Sequence, residues 1–527
     1  MSGRQRVAVV TGGGGGIGAA IAESISRTGT FVVTVDPLVS VDGSERLPQP
    51  EQTTAGRIVA AGGAARASGV SVTDESGVRQ LFGELADEFG GLDAVVNVAG
   101  ISRPTGFAKG SDDDWLSVLS VHLDGYRNVL GAALPLMAAA GRGHILGVTS
   151  GSGWRSADAG AYGCAKRAVA SLTWQLGRHA PAGVVVNAIS PIAATRMVAA
   201  ALGAKMPTGG AATGGLSLGA MPAPEDLGPL SAHLVSEGFS RCAGRVLFAG
   251  GSEVAVIDEP RLIEVVRTDA VPWVAHVMEA ATTIALAPAE ANQVSGGGSN
   301  ARFGALFDET PVEEIPTSAA RSCAVVSDRP EAAKAMAAAL EARGVGCHLI
   351  DAPGSLAGLD AVDAVVVAMA GGPADSGAAS GWQRILAEHD GIVGRIDTDA
   401  RWTRAVAELA TTANSPIRLV TISDATTAGG RSQAQASAQL ARAGRKSTGE
   451  LVLPFAVSAE SGDVPAELVA HLVCSAEAVD LAGSELVTGA GWFGLRSHPR
   501  PIGSISFGGP AVPDWFDDAL GEVVAPR

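Results

Sequence analysis

The chain has 527 residues, of which 46% are hydrophobic and 17% charged, with a formal net charge of −16. That length exceeds one ordinary core and points to two or three domains of globular, not disordered, composition. The acidic balance excludes a nonspecific nucleic-acid binder, which needs a basic footprint, and no apolar run reaches the roughly 18 residues of a membrane span.

From the N-terminus, "RVAVVTG" is a β-branched run, "TGGGGGIG" (Thr11 to Gly18) a glycine turn, and "IGAAIAESISRTG" has helical spacing. Glycines between a strand and a helix let a pyrophosphate approach the main chain, where free N–H groups and the helix dipole favour it. The next strand, "TFVVTVD", ends in Asp36, an acid placed to accept from ribose hydroxyls and to repel a 2′-phosphate. No Lys or Arg sits beside it, so the expected cofactor is NAD. "LFGELADEFGGLDAVVNVAG" and "GAALPLMAAAGRGHILGVTS" repeat helix then strand, and "GRVLFAGG" closes the unit. Strands alternating with helices imply a parallel sheet covered on both faces. The opening residues enter a strand at once, without the apolar core of a secretory signal, so a cytoplasmic protein is expected. The five cysteines include no CxxC pair. Neither a disulfide frame nor a metal site is expected from their spacing.

Within "GAYGCAKRAVASL", Tyr162 and Lys166 stand one helical turn apart, and the chain has only one other tyrosine, Tyr126. A phenol of pKa about 10 is a poor base at neutral pH unless a cation beside it stabilises the phenolate. A lysine on the same helix face supplies that charge.

Between about 260 and 320 the rhythm breaks into one helical stretch and Gly, Ser, Pro and acid-rich runs, a partly structured linker. Beyond it the first plan returns: "CAVVSD", "GLDAVDAVVVAMAGG", "IRLVTISDATTAGG" and "AELVAHLVCSAEAVDLAGSELVTGAG" echo earlier segments in order. Four ordered matches argue for an internal duplication.

Together, "TGGGGGIG", "NVAG", "VTSGSG" and "YGCAK" resemble the short-chain dehydrogenase/reductase family over about residues 5 to 255. The resemblance implies a fold class of α/β, two tandem Rossmann-type doubly wound parallel-sheet domains, the second degenerate. It implies a catalytic domain over 1–260, the linker over 261–320 and a non-catalytic copy over 321–527. It assigns Tyr162 as acid/base, Lys166 to lower its pKa and hold the nicotinamide ribose, and Ser150 to orient the substrate oxygen, with Ser152 a rival. Thr11, Gly12, Gly16, Ile17 and Gly18 would hold the pyrophosphate. Asn97, Ala99 and Gly100 would lie beside the adenosine, and Pro191 and Ile192 would also meet the cofactor. His122 stands where the family usually has an Asn, whose backbone carbonyl binds a relay water. Ser71, with Asp74 nearby, replaces an aspartate beside the adenine. "VHLDG", "PIAATRM" and the insert after Asp36 are similar to the branch holding the (3R)-hydroxyacyl-CoA dehydrogenase part of peroxisomal multifunctional enzymes and their actinobacterial relatives.

The resemblance thus implies hydride exchange with a secondary alcohol, a 3-hydroxyacyl-CoA or related thioester. Arg103, Lys109, Arg155 and Arg196 are candidates for a CoA phosphate, and residues 202 to 222 for a substrate lid. A hydroxysteroid or terpene alcohol, or a scaffold that binds NAD without turnover, stays open. In the second half Asp328 and Pro330 replace glycines, Ser423 takes the serine position, and no tyrosine remains. That half is expected to bind no NAD and to serve as a permanent partner of the first. Two chains are expected to pair as a homodimer of four folds.

Overall fold

The computed structural model describes residues 4–107, 109–154, 158–198, 221–267, 275–293, 320–359, 361–374, 377–378 and 380–525. The first half builds β1 (Val7–Thr11), β2 (Phe31–Val35), β3 (Ala65–Ser68), β4 (Ala94–Asn97), β5 (Gly143–Val148), β6 (Val184–Pro191), β7 (Val246–Gly250) and β8 (Glu253–Ile257). Between them lie α1 (Gly16–Ser26), α2 (Thr54–Ala60), α3 (Glu75–Phe89), α4 (Asp112–Leu119), α5 (Gly125–Ala140), α6 (Gly160–His179) and α7 (Gly228–Leu234). Strands β1 to β7 are parallel, in the order β7-β6-β5-β4-β1-β2-β3. The central ones read as unbroken apolar runs because helices cover both faces: Val7 to Val10 are all buried completely.

Strand β9 (Leu262–Arg267) and helices α8 (Ala275–Ala281) and α9 (Ala287–Ala291) lead to the second half. This contains β10 (Ser322–Val326), β11 (Gly346–Leu349), β12 (Ala364–Ala368), β13 (Ile417–Asp424), β14 (Val452–Ala459), β15 (Glu485–Gly489), β16 (Trp492–Arg496) and β17 (Pro501–Ser506). Its helices are α10 (Pro330–Glu341), α11 (Gly381–Glu388), α12 (Ile392–Ala413), α13 (Ala428–Ser447), α14 (Ala466–Cys474) and α15 (Phe516–Val524). The second sheet, β11-β10-β12-β13-β14-β15-β16, repeats the order of the first, with no strand in the place of β3 among the described residues. The halves share a local device. Asp93 Oδ2 accepts from Val7 N at 2.8 Å, and Asp363 Oδ2 accepts from Ser322 N at 3.0 Å.

The two sheets exchange their edge strands. β9 follows β8 in sequence but pairs antiparallel with β16 of the second sheet, and β17 follows β16 but pairs antiparallel with β8 of the first. Helix α15 goes with it, burying Phe516 and Leu520 beside Phe239 of the first half. The expected boundaries therefore differ in two places: residues 262–267 are strand and not linker, and residues 501–525 lie with the first sheet. An open sheet edge exposes unpaired N–H and C=O groups, and the exchange covers one on each sheet.

The halves also meet along α6 and α13, which run antiparallel: Arg167, Ser171 and Gln175 face Gln435, Ser432 and Ala428. Alanines at 165, 168, 436 and 443 belong to one continuous apolar core with Leu172, Ile396 and Leu440, so the interface is core and not a wet seam. Among the described residues no helix is long and apolar enough to cross a membrane.

Candidate active site

A cavity of about 790 Å³ opens at the carboxyl ends of β1, β2, β4 and β5, the crevice where open α/β sheets bind ligands. Gly12, Gly16, Ile17, Gly18, Asp36, Ala99 and Gly100 line it. Gly12 has φ +65°, and a Cβ there would lie 2.8 Å from Ala99 N, so only glycine fits. Asp36 pins the turn as well as facing the cavity: Oδ2 accepts from Gly14 N at 2.9 Å and Oδ1 from Leu38 N at 2.8 Å. Thr11 and Asn97 are buried behind the wall and are not among its lining residues. Thr11 Oγ1 donates to Asn97 Oδ1 at 2.8 Å and accepts from Ala99 N at 3.2 Å, tying the glycine turn to the β4 loop. The bare glycine cradle and the facing carboxylate fit a dinucleotide.

The insert after Asp36 is a small hairpin closed by a Val39–Arg46 bridge, and Val39, Val41, Gly43 and Arg46 line the cavity. It is fastened to the β4 loop by Ser102 N on Val41 O at 2.8 Å and Arg103 Nε on Asp42 O at 2.7 Å. Arg103 also meets Asp114 Oδ1 at 3.0 Å, so it both braces the insert and lines the cavity. Sequence reasoning noted the insert but not its fold; the signal was "SVDGS", where Asp42 collects Ser40 and Ser44 hydroxyls. Ser71 lines the cavity, whereas Asp74 caps α3 by accepting from Gly77 N at 3.0 Å.

Ser150, Tyr162, Lys166 and His122 line the same cavity. Lys166 is 4% exposed; its Nζ donates to Val148 O at 2.6 Å and lies 5.6 Å from the centre of the Tyr162 ring. Burial pushes its pKa down to about 7. Thr149 Oγ1 donates to Lys166 O at 2.6 Å, fixing α6 against the end of β5. Ser150 Oγ accepts from Ser152 N at 3.2 Å, and Ser152, the rival, does not line the cavity.

His122 sits in a π-helical turn, Ser120–Asp124, between α4 and α5. Its Nε2 donates to Ile101 O at 2.7 Å, which fixes the neutral tautomer, and its ring stands edge-on to Tyr162 at 5.0 Å. Burial, then the Lys166 charge, holds its pKa well below the usual histidine value. Nδ1 has no hydrogen-bond partner among the described residues. The expectation that position 122 matters through its backbone thus meets a side chain wedged into the site: a Cβ on Gly100 would lie 2.2 Å from His122 Cε1. The other tyrosine, Tyr126, is wholly buried, shares a 3.2 Å hydrogen bond with Thr173 Oγ1, and has its pKa pushed up to about 12 by burial.

Pro191 lines the cavity; Ile192 instead packs outward beside Trp154 and Phe248. Arg196 lines the cavity too. Arg155 and residues 202–220 of the expected lid lie outside the described residues.

Residues 6–205 match the family model "short chain dehydrogenase". The chain is 36% identical to the short-chain reductase protein NovJ of Streptomyces niveus, a match covering 37% of this chain and 72% of that protein. The chain belongs to the short-chain dehydrogenase/reductase family. It is 34% identical to the cis-4-hydroxycyclohexanecarboxylate dehydrogenase of Sinomonas cyclohexanicum, over 48% of this chain and 98% of that one. It is 33% identical to the peroxisomal hydratase-dehydrogenase-epimerase of Saccharomyces cerevisiae, over 37% of this chain and only 22% of that protein. As a member of the family the chain is an oxidoreductase with a nicotinamide-cofactor site in its first half.

The second half repeats the strand order of the first, and its ladder register places its residues against those of the first half. Ala8 pairs with Ala94 as Cys323 pairs with Ala364, and Ala94 pairs with His144 as Ala364 pairs with Arg418. Carried along the strands, this register sets Ser423 opposite the place of Thr149 and Asp424 at the place of Ser150. The expectation that Ser423 takes the serine position is off by one residue. Ser327 and Asp328 stand at the places of Gly12 and Gly13; Ser327 Oγ donates to Ala368 O at 2.6 Å, Asp328 Oδ1 accepts from Ala370 N at 2.7 Å, and Arg395 lies against Gly372 at the neighbouring loop. On α13, Gln433 and Ser437 donate to the buried Asp399 at 3.0 and 2.7 Å, and burial pushes that carboxyl up to about 6.

Proposed function

We propose that the first half is an NAD-dependent dehydrogenase interconverting a secondary alcohol and a ketone, with a 3-hydroxyacyl-CoA or related thioester as substrate. One observation carries this reading: Ser150, Tyr162 and Lys166 open on the same cavity as the glycine turn and Asp36. In the oxidative direction the Ser150 hydroxyl holds the substrate oxygen and the Tyr162 oxygen takes its proton. Lys166, when charged, stabilises the phenolate electrostatically. His122, neutral and edge-on to the Tyr162 ring, keeps the phenol in place. When bound, the nicotinamide supplies the hydride acceptor. Asp36 favours ribose hydroxyls over a 2′-phosphate, which supports NAD.

The thioester is supported by the sequence branch that the insert and "VHLDG" resemble. A second reading, an alicyclic hydroxy acid, is favoured by the Sinomonas relative, which the chain matches along nearly its whole length. Arg196 suits either, as a cation for a phosphate or a carboxylate. In this reading the second half is a non-catalytic partner, the division near residues 260 and 320 is functional, two chains form a homodimer of four folds, and the protein works in the cytoplasm.

The test is turnover of NAD and NADP with a 3-hydroxyacyl-CoA and with cis-4-hydroxycyclohexanecarboxylate. NAD reduction by the thioester at a higher kcat/KM than by the cyclic acid supports the leading reading, and the reverse order selects the second. Binding of NAD without reduction by any alcohol offered sinks both.

A further inference from the structure

The turn after Ser150 is held from outside its own domain. Three successive carbonyls each accept from a long polar side chain. Gln439 Nε2 donates to Ser152 O at 3.1 Å, Arg167 Nη1 to Gly153 O at 3.3 Å, and Arg442 Nη1 to Trp154 O at 2.7 Å. Gln439 and Arg442 stand three apart on one face of α13, and are 1% and 9% exposed. Arg167 belongs to α6, but its other donors are fixed by the second half, on Gln435 Oε1 at 2.8 Å and Glu485 Oε2 at 2.7 Å.

Within the turn itself Ser152 N donates to Ser150 Oγ, Gly153 N to Ser150 O and Trp154 N to Gly151 O, bonds that close the turn on itself without tying it to the rest of the chain. Residues 151 and 153 are glycines, which leave the backbone free to move unless something outside fixes it. The helix carrying Tyr162 is shaped to admit the clamp. A Cβ on Gly163 would lie 2.9 Å from Ser152 O and 3.5 Å from Gln439 Nε2.

We infer that Gln439 and Arg442 are positioning residues for Ser150: the second half, with no tyrosine of its own, completes the first half's active site by clamping the turn that carries the serine. The inference rests on the reading that Ser150 orients the substrate oxygen. A shift of about 1 Å at such a group costs up to about a hundredfold in rate, so a clamp this close bears on kcat. It leaves the cofactor cradle, on β1 and β2, untouched.

The experiment uses the full chain with Q439L, R442M and R442K. Amide exchange of the 150–154 turn, kcat, and NADH affinity by fluorescence titration are read for each. In Q439L and R442M the turn exchanges at least about tenfold faster. In the same variants kcat falls at least about tenfold while NADH affinity stays within about twofold. R442K keeps a donor and recovers most of the lost kcat. Exchange and kcat within about twofold of the parent overturn the clamp, as does a loss of NADH affinity parallel to that of kcat, which is general loosening. Should R442M not fold, Q439L, which removes no charge, decides alone. If the parent oxidises no alcohol, the functional reading fails, while exchange at the turn still decides whether the clamp exists.

Discussion

Arg167 and Glu485 form an ion pair between the two halves, 2.7 Å apart, with side chains 0% and 3% exposed. Burial pushes the Arg167 pKa down to about 10 and Glu485 upward, so for both groups desolvation outweighs their mutual attraction. Such a pair is costly to break by halves and cheap to replace whole. Glu485→Gln leaves a guanidinium buried with only neutral acceptors, and Arg167→Met leaves a buried carboxylate beside Gln435. Each should destabilise the chain by about 3 to 5 kcal/mol. The double variant R167M/E485Q buries no charge and should lose less than either single, within about 1 to 2 kcal/mol of the parent. Urea unfolding followed by tryptophan fluorescence measures this, since Trp154 and Trp174 are buried near the pair. Singles within about 1 kcal/mol of the parent, or a double equal to the sum of the singles, would refute the reasoning.

Asp36→Asn should shift the NAD-to-NADP ratio of kcat/KM toward NADP by about tenfold, because a charge near the ribose is worth 1 kcal/mol or more even in high dielectric; an unchanged ratio counts against the cofactor reading. His122→Ala removes the donor to Ile101 O and the wedge beside Tyr162, and should lower kcat about tenfold, the rate equivalent of one lost hydrogen bond. Stability should fall on acidification. His389, His471 and His498 are buried and neutral, each pushed down to about 4. The unfolded chain therefore takes up their protons first, and stability held above pH about 6.5 is lost as pH falls toward 4, by up to about 3 kcal/mol per histidine. Asp399, raised to about 6, and Glu485, also raised by burial, work in the opposite sense and offset part of this loss. Thermal midpoints that rise between pH 7 and 5 would contradict this balance.

The first half and its candidate site were legible because their parts are local. A strand, a glycine turn and a helix are contiguous, and Tyr162 and Lys166 share one helix face. The duplication was legible from echoes of strand and helix. The exchange of β9 and β17 was not, because "LIEVVR" and "PIGSIS" say strand without saying which sheet; partner choice for an antiparallel edge is set by tertiary contacts. A one-residue offset separated Ser423 from the serine place, since "VTS" and "TISD" align equally well by eye and only the ladder register decides. Thr11 and Asn97 pattern with the cofactor motif, yet they act through each other behind the wall. Gln439 and Arg442 carry no motif at all, and nothing in a sequence reading links α13 to the turn after Ser150.

The central claim is that each chain holds a single hydride-transfer centre, in its first half, run by Tyr162. Single-turnover formation of NADH, with chain and NAD in excess over the alcohol, tests it when the parent and Tyr162→Phe are compared alongside their NAD-binding stoichiometry. The account predicts one NAD bound per chain in both proteins, rapid NADH formation in the parent, and a rate at least about a thousandfold slower in the variant. A variant as fast as the parent, or two NAD bound per chain, would contradict it.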